Sequence, residues 1–165
     1  MSAGTQAMAV AHGEHVVHFY EHEAELVASV CPYLEARAGV CAAFPADAES
    51  PRHARRMAAA ILRRWGHGEA LIADVSLVIS ELASNAVRHA GSSFAVALQM
   101  QGPLLRVTVE ARAPLPDTAS DADMLPRSPH GLCVVDSLAT SWGVEPTRTG
   151  KIVWAQLTYV APLEP

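Results

Sequence analysis

In the stretch ELASNAVRHAG, Glu81, Asn85 and His89 recur at every fourth position. On a helix, side chains at i, i+4 and i+8 stack along one face, so a carboxylate, a carboxamide and an imidazole would line a single wall. An asparagine carbonyl is a hard oxygen ligand, and Mg²⁺ takes only one or two protein ligands, leaving the rest of its shell to water and phosphate oxygens. A glutamate one turn away is placed to orient or deprotonate a hydroxyl. The set therefore suits a phosphate and magnesium site. The same spacing also describes the solvated face of an ordinary helix, and spacing alone does not choose between them.

The wall must be carried by something rigid. From Glu69 to Ala90 the sequence predicts a helix whose apolar face is Leu71, Val75, Val78, Ile79, Leu82, Ala83 and Ala86, ended by Gly91. Before it, Ser50-Pro51 reads as an N-cap and first helical residue, opening an amphipathic helix with Ala54, Met57, Ala58, Ile61, Leu62 and Trp65 on one side and arginines on the other, stopped at Gly66. After it, Ser93–Gln101 and Leu104–Arg112 alternate around a Gly102-Pro103 turn and read as a hairpin. The proline-dotted connection Ala113–His130 is long for a structureless loop, a length that marks function or mobility. Leu132, Val135, Leu138 and Ala139 then fall at helical spacing, and a turn at Thr149-Gly150-Lys151 leads into the strand IVWAQLTYV. Toward the N-terminus, residues 1–13 read as an unstructured leader, His15–Tyr20 as a strand, Glu23–Ala36 as a helix and Gly39–Asp47 as a further strand.

At 165 residues, half of them hydrophobic and 18% charged, the chain has the length and composition of one globular domain with a short appendage. A net charge of −5 with scattered basic residues argues against nucleic acid as a partner. Cys31, Cys41 and Cys133 are odd in number and lack CxxC spacing, which suggests neither disulfides nor zinc and fits a reducing cytoplasm. No signal-peptide pattern and no membrane span is expected. His12, His15, His18 and His22 cluster near the N-terminus, either as scattered surface residues or as a metal site.

Four blocks, FPADAESPRHARRMAAAILRRWG, VSLVISELASNAVRHAG, HGLCVVDSLATSWGV and TGKIVWAQL, occur in that order between Phe44 and Leu157. Together they resemble the ATP-binding domains of anti-sigma-factor serine kinases, in the superfamily that also contains gyrase, histidine kinases, a heat-shock chaperone and a mismatch-repair ATPase. The resemblance implies a two-layer α/β (α+β) sandwich over residues 41–165, with a mostly antiparallel sheet covered by helices on one face and Ala113–His130 as a nucleotide lid. It implies ATP and Mg²⁺ as cofactors, Asn85 as the magnesium ligand and Glu81 as the base. His89 matches a frequent family residue, either at the nucleotide or packing the helix end.

Two positions depart from that pattern. The family's adenine-binding aspartate falls at Ala111, and its neighbours Glu110 and Arg112 point to the opposite face of the strand. The alternative is that Asp117, Asp121 or Asp123 of the connection reaches the base. In the phosphate loop the family's Gly-Arg-Gly-Leu run becomes Pro129-His130-Gly131-Leu132. His130, Gly131 and Leu132 are then left to wrap the phosphates, while Pro129 removes one backbone N–H.

Within the N-terminal extension 1–40, the stretch HVVHFYEHEAELVASVCPYLEARAGV (His15–Val40) resembles the opening strand and helix of a methanogen/methylotroph sensory domain, expected to pack on the main sheet or to mediate self-association as a homodimer. Two functions follow from the resemblance. One is a serine/threonine kinase of anti-sigma type, phosphorylating an antagonist protein and switching between it and a sigma factor. The other is a non-catalytic protein-binding module of the same fold with weak or no ATP binding.

Overall fold

The computed structural model describes residues 8–12, 15–19, 39–112, 129–148 and 150–159. The expected helix Glu23–Ala36, the connection as far as residue 128, and Asp117, Asp121 and Asp123 within it, lie outside the described residues. A seven-stranded sheet organises the rest. Its strands are β1 (Met8–His12), β2 (His15–Phe19), β3 (Gly39–Phe44), β4 (Phe94–Gln101), β5 (Leu104–Arg112), β6 (Ser141–Pro146) and β7 (Gly150–Thr158), in spatial order β1-β2-β3-β4-β5-β7-β6. Every neighbouring pair is antiparallel except β2 with β3. The described helices are α1 (Ser50–Arg64), α2 (Glu69–Asn85) and α3 (Pro129–Leu138). The architecture is the two-layer α/β sandwich that the sequence implies.

The core lies between helices and sheet. Ala54, Ala58 and Leu62 of α1 and Ile72, Val75, Val78, Ile79, Leu82 and Ala83 of α2 are buried in one cluster with Phe94, Val96 and Leu98 of β4, Leu105, Val107, Val109 and Ala111 of β5, and Val153, Ala155 and Leu157 of β7. Complete burial of a side chain such as Leu62 stabilises the fold by about 1.5–3 kcal/mol. By length and mean hydropathy (1.5) the run Glu69–Arg88 could cross a membrane. In this fold its apolar stripe is spent on the sheet instead. On the opposite sheet face Cys41, Ala43, Ala95 and Ala97 are also buried, which is why β3 and the first part of β4 read as apolar runs rather than as alternation.

Local rules explain most boundaries. The β4–β5 hairpin closes through two residues, with Gly102 at φ 61 followed by proline, a combination that needs glycine first. Gly91 terminates the second helix at φ 56, a left-handed conformation that a side chain would strain.

Several expectations are corrected. The leader 1–13 contains β1, paired with β2 so that His12 stands opposite His15. Ser50 is not the N-cap. The side chain of Asp47 accepts hydrogen bonds from the backbone N–H groups of Glu49 (2.9 Å) and Ser50 (2.8 Å) and from the Ser50 hydroxyl (3.0 Å), and Ser50 is the buried first residue of the helix. Ser141–Pro146, for which the sequence predicts no strand, is the edge strand β6. The last turn begins earlier than expected: the N–H of Thr147 donates to the carbonyl of Gly150, where β7 already starts.

Candidate functional site

α2 delivers Asn85 to the end of the sheet where its chain turns back into β4. Three residues, Gly91 to Ser93, separate the helical segment from Phe94, so the helix end and the Phe94 end of β4 are neighbours by connectivity. The helix does not run through as a regular α-helix. It is α-helical to Asn85 and then makes a π-helical turn, Ala86–Ala90, in place of the uniform pitch that the i, i+4, i+8 reading assumes. Such widened turns cost regular hydrogen bonding and occur often at functional sites. Glu81 and Asn85 keep their one-turn spacing on the α-helical part. His89 lies within the π-turn, and its side chain is outside the described residues.

Asn85 is the most informative side chain here. It is only 7% exposed, and neither its Oδ1 nor its Nδ2 has a hydrogen-bond partner among the described residues. An amide removed from water without partners costs about 1–3 kcal/mol in proteins. A buried carbonyl and amino group held open at a helix end are what a site looks like when its polar guest supplies the missing bonds. Glu81, one turn before, is half-buried.

The register of the sheet fixes what stands at this end. Phe44 pairs with Phe94, Phe94 with Ala111, Ala111 with Lys151 and Lys151 with Pro146, one row across five strands. Directly paired residues share a face, and Phe44, Phe94 and Ala111 are members of the core beneath the helices. The Phe44 and Phe94 rings stack with centroids 5.4 Å apart. Ala111 is 4% exposed and presents a methyl group. Glu110 is buried on the other side of the sheet, beside Ala95 and Ile152 by register. Lys151 is half-buried, and burial pushes its ammonium below the ordinary lysine range. Lys151 belongs to β7 rather than to the turn that the sequence predicts at Thr149-Gly150-Lys151, and its alternation with Val153 and Ala155 of the core places it on the helix-covered face.

α3 begins at Pro129, with His130, Gly131 and Leu132 in its first turn. Their backbone N–H groups are the ones a helix leaves without internal partners, whereas proline at the first position gives up an N–H the helix does not use. The side chains of these residues are outside the described set. α3 packs beside α2. Among the described residues no cluster of three or more histidine, cysteine or acidic side chains is arranged to hold a metal. Cys41 is buried and Cys133 exposed.

The family model for the histidine kinase-like ATPase domain matches residues 44–157. The chain belongs to the histidine kinase-like ATPase domain family. The match runs from the last residue of β3 to the penultimate residue of β7 and takes in α1, α2 with Asn85, the hairpin and α3. β1 and β2 stand outside it. No curated protein matches the chain. For an ATPase-like domain, the donor set divides in two. The unpartnered Asn85 amide fits a magnesium or phosphate-bearing guest, while the methyl group of Ala111 offers no acceptor to an adenine amino group.

Proposed function

We propose that the protein is a nucleotide-responsive regulator of the anti-sigma-factor class, exchanging between a sigma factor and an antagonist protein. The observation that carries the nucleotide half is Asn85: a buried amide with both polar atoms unpartnered, on the helix end of a histidine kinase-like ATPase domain. The partner half is supported by the order of the four sequence blocks between Phe44 and Leu157.

In this reading Asn85 Oδ1 would hold Mg²⁺, which when bound would supply charge neutralisation to the phosphates. The backbone N–H groups of His130, Gly131 and Leu132 face those phosphates. Glu81 orients the hydroxyl of an antagonist serine or threonine and receives its proton. Beside that proton transfer, positioning and charge stabilisation make up the protein's contribution to such a reaction.

A second reading, a non-catalytic binding module, is favoured by Ala111, whose methyl is part of the apolar core at the position where the resemblance implies a base-binding carboxylate. Both readings are separated by one experiment. The intact protein is mixed with candidate sigma factors and antagonists, with and without Mg-nucleotide, and followed by sedimentation velocity and by phosphate incorporation into the antagonist. Nucleotide-dependent exchange with incorporation supports the kinase. Complexes indifferent to nucleotide, with no incorporation, support the module.

A further inference from the structure

α1 carries charge that does its own helix no good. Arg52, His53, Arg55, Arg56, Arg63 and Arg64 are exposed along its outer side, and no acidic residue lies between Ser50 and Arg64. Arg52 sits in the first turn, at the positive end of the helix dipole, and Arg55 and Arg56 follow at i+3 and i+4, where like charges neighbour one another; both arrangements cost a helix stability. Two of the arginines are paired at the helix ends, Arg52 with Glu49 at 3.5 Å and Arg63 with Glu69 at 2.8 Å. Arg55 donates to the neutral Ser80 hydroxyl of α2 at 3.0 Å. Arg56 and Arg64 have no ion-pair or hydrogen-bond partner among the described residues.

We propose that the outer face of α1, with Leu77 of α2 beside it, is a docking surface for a protein partner that presents carboxylates around an apolar side chain. Every basic group on this face except His53 is an arginine, whose planar guanidinium takes a carboxylate through two parallel N–H bonds. Leu77 supplies the apolar contact. At 51% exposed it is the large hydrophobic side chain that the described residues leave in water, and it lies three positions before Ser80, the residue that Arg55 touches. A lone exposed leucine is ordinary on a protein surface. Beside arginines without carboxylates of their own, it gives the make-up of an interface, an apolar anchor with a charged rim. This surface is independent of Asn85 and of any nucleotide.

Charge distribution selects the class of partner. The chain as a whole carries −5, so outside this cluster it is more acidic still. α1 has 15 residues and is about 22 Å long, whereas an anionic bilayer or a nucleic-acid duplex extends its charge well past that length. Approach to either brings the acidic remainder of the chain within a Debye length, about 8 Å at physiological salt, and is opposed. A bounded acidic patch on another protein meets the arginines alone.

The test uses the full chain and a defined probe, a fluorescein-labelled peptide of about 20 residues, long enough to be helical in water, with leucines on one face flanked by glutamates. Its controls carry glutamine for glutamate, or alanine for leucine. A labelled DNA duplex is read by the same anisotropy assay, and vesicles of equal parts phosphatidylglycerol and phosphatidylcholine by cosedimentation. The variants are Arg55→Glu and Arg56→Glu made together, and Leu77→Ala. All three positions are exposed, and carboxylates near a helix N-terminus favour it, so both variants keep the native circular dichroism. The native protein is expected to bind the acidic leucine peptide about tenfold more tightly than either control, and less tightly as salt is added. The double variant loses about tenfold in affinity and Leu77→Ala severalfold. Equal binding of peptide and controls, an affinity unchanged in the double variant, or tighter binding to duplex or vesicles overturns the assignment. An unchanged affinity in Leu77→Ala removes that residue from the surface. A native dimer in sedimentation velocity that the double variant abolishes also overturns it, because a second copy of the chain then covers the face.

Discussion

Replacing Asn85 by leucine should make the protein more stable while removing its affinity for Mg-nucleotide. The amide is 7% exposed and makes no hydrogen bond through either atom among the described residues, so the folded state carries an unmet desolvation cost of about 1–3 kcal/mol. Leucine has a similar volume, which keeps any cavity small, and its side chain would join Ala83, Ala86 and Leu82 in the core without that cost. The expected gain is about 1–3 kcal/mol, or roughly 2–12 °C in Tm for a chain of 165 residues. Urea unfolding followed by circular dichroism reads it directly, as a raised midpoint with an unchanged slope. Asn85→Asp provides the opposite control, since an unpaired buried carboxylate should destabilise. Should the leucine variant lose 1 kcal/mol or more, the native amide is satisfied in solution, its role is structural, and the argument from an orphaned group collapses.

Three further outcomes follow from the fold. His67 lies edge-on to Tyr159 with centroids 4.6 Å apart and its Nε2 buried without a hydrogen-bond partner among the described residues, and burial holds its pKa below 6.5. The folded state then binds fewer protons than the unfolded state as pH drops below about 6.5, so stability is full above that value and declines toward the lower, folded pKa. Urea midpoints should fall between pH 7.5 and 5.5, and His67→Phe should remove the part of the fall due to this group; an identical pH profile in the variant would refute it. Gly143→Ala would bring a Cβ to 2.8 Å and 2.9 Å from the ring carbons of Trp154, which lies under Arg106 at 4.4 Å. Displacing that ring should cost about 1–3 kcal/mol and alter near-ultraviolet dichroism, and an unchanged midpoint would contradict the packing. Asp47→Ala removes three hydrogen bonds at the start of α1 and should lower stability by about 1 kcal/mol in the same assay.

The sequence read most easily where one physical rule acted alone. α1 and α2 obey the 3.6-residue period, and β5 alternates after a turn that calls for glycine at its first position, although the first part of β4 is buried on both faces. Edges were harder. β1, MAVAH, is short and has a single β-branched residue, so its composition does not separate it from a leader; its strand character comes from pairing with β2. β6, SWGVEP, carries a glycine and a proline, both poor strand residues, yet an edge strand tolerates them and Gly143 leaves space for the Trp154 ring.

At the site, Glu81 and Asn85 were legible because their spacing matched a regular helix. The π-turn was not, since a hydrogen-bonding shift at Ala86–Ala90 has no residue signature and changes the relation of His89 to the other two. Ala111 could be placed by counting along its strand. Lys151 could not be joined to it, because cross-strand register is a property of the folded sheet.

The central claim is that Asn85 faces a nucleotide. Isothermal titration of the intact protein with Mg-nucleotide, repeated with Asn85→Ala and again in excess chelator, tests it most directly. The account predicts saturable binding by the native protein that is lost in the variant and lost when Mg²⁺ is removed. Binding that is the same in the native protein and in Asn85→Ala, or no saturable heat with any purine nucleotide, would contradict it.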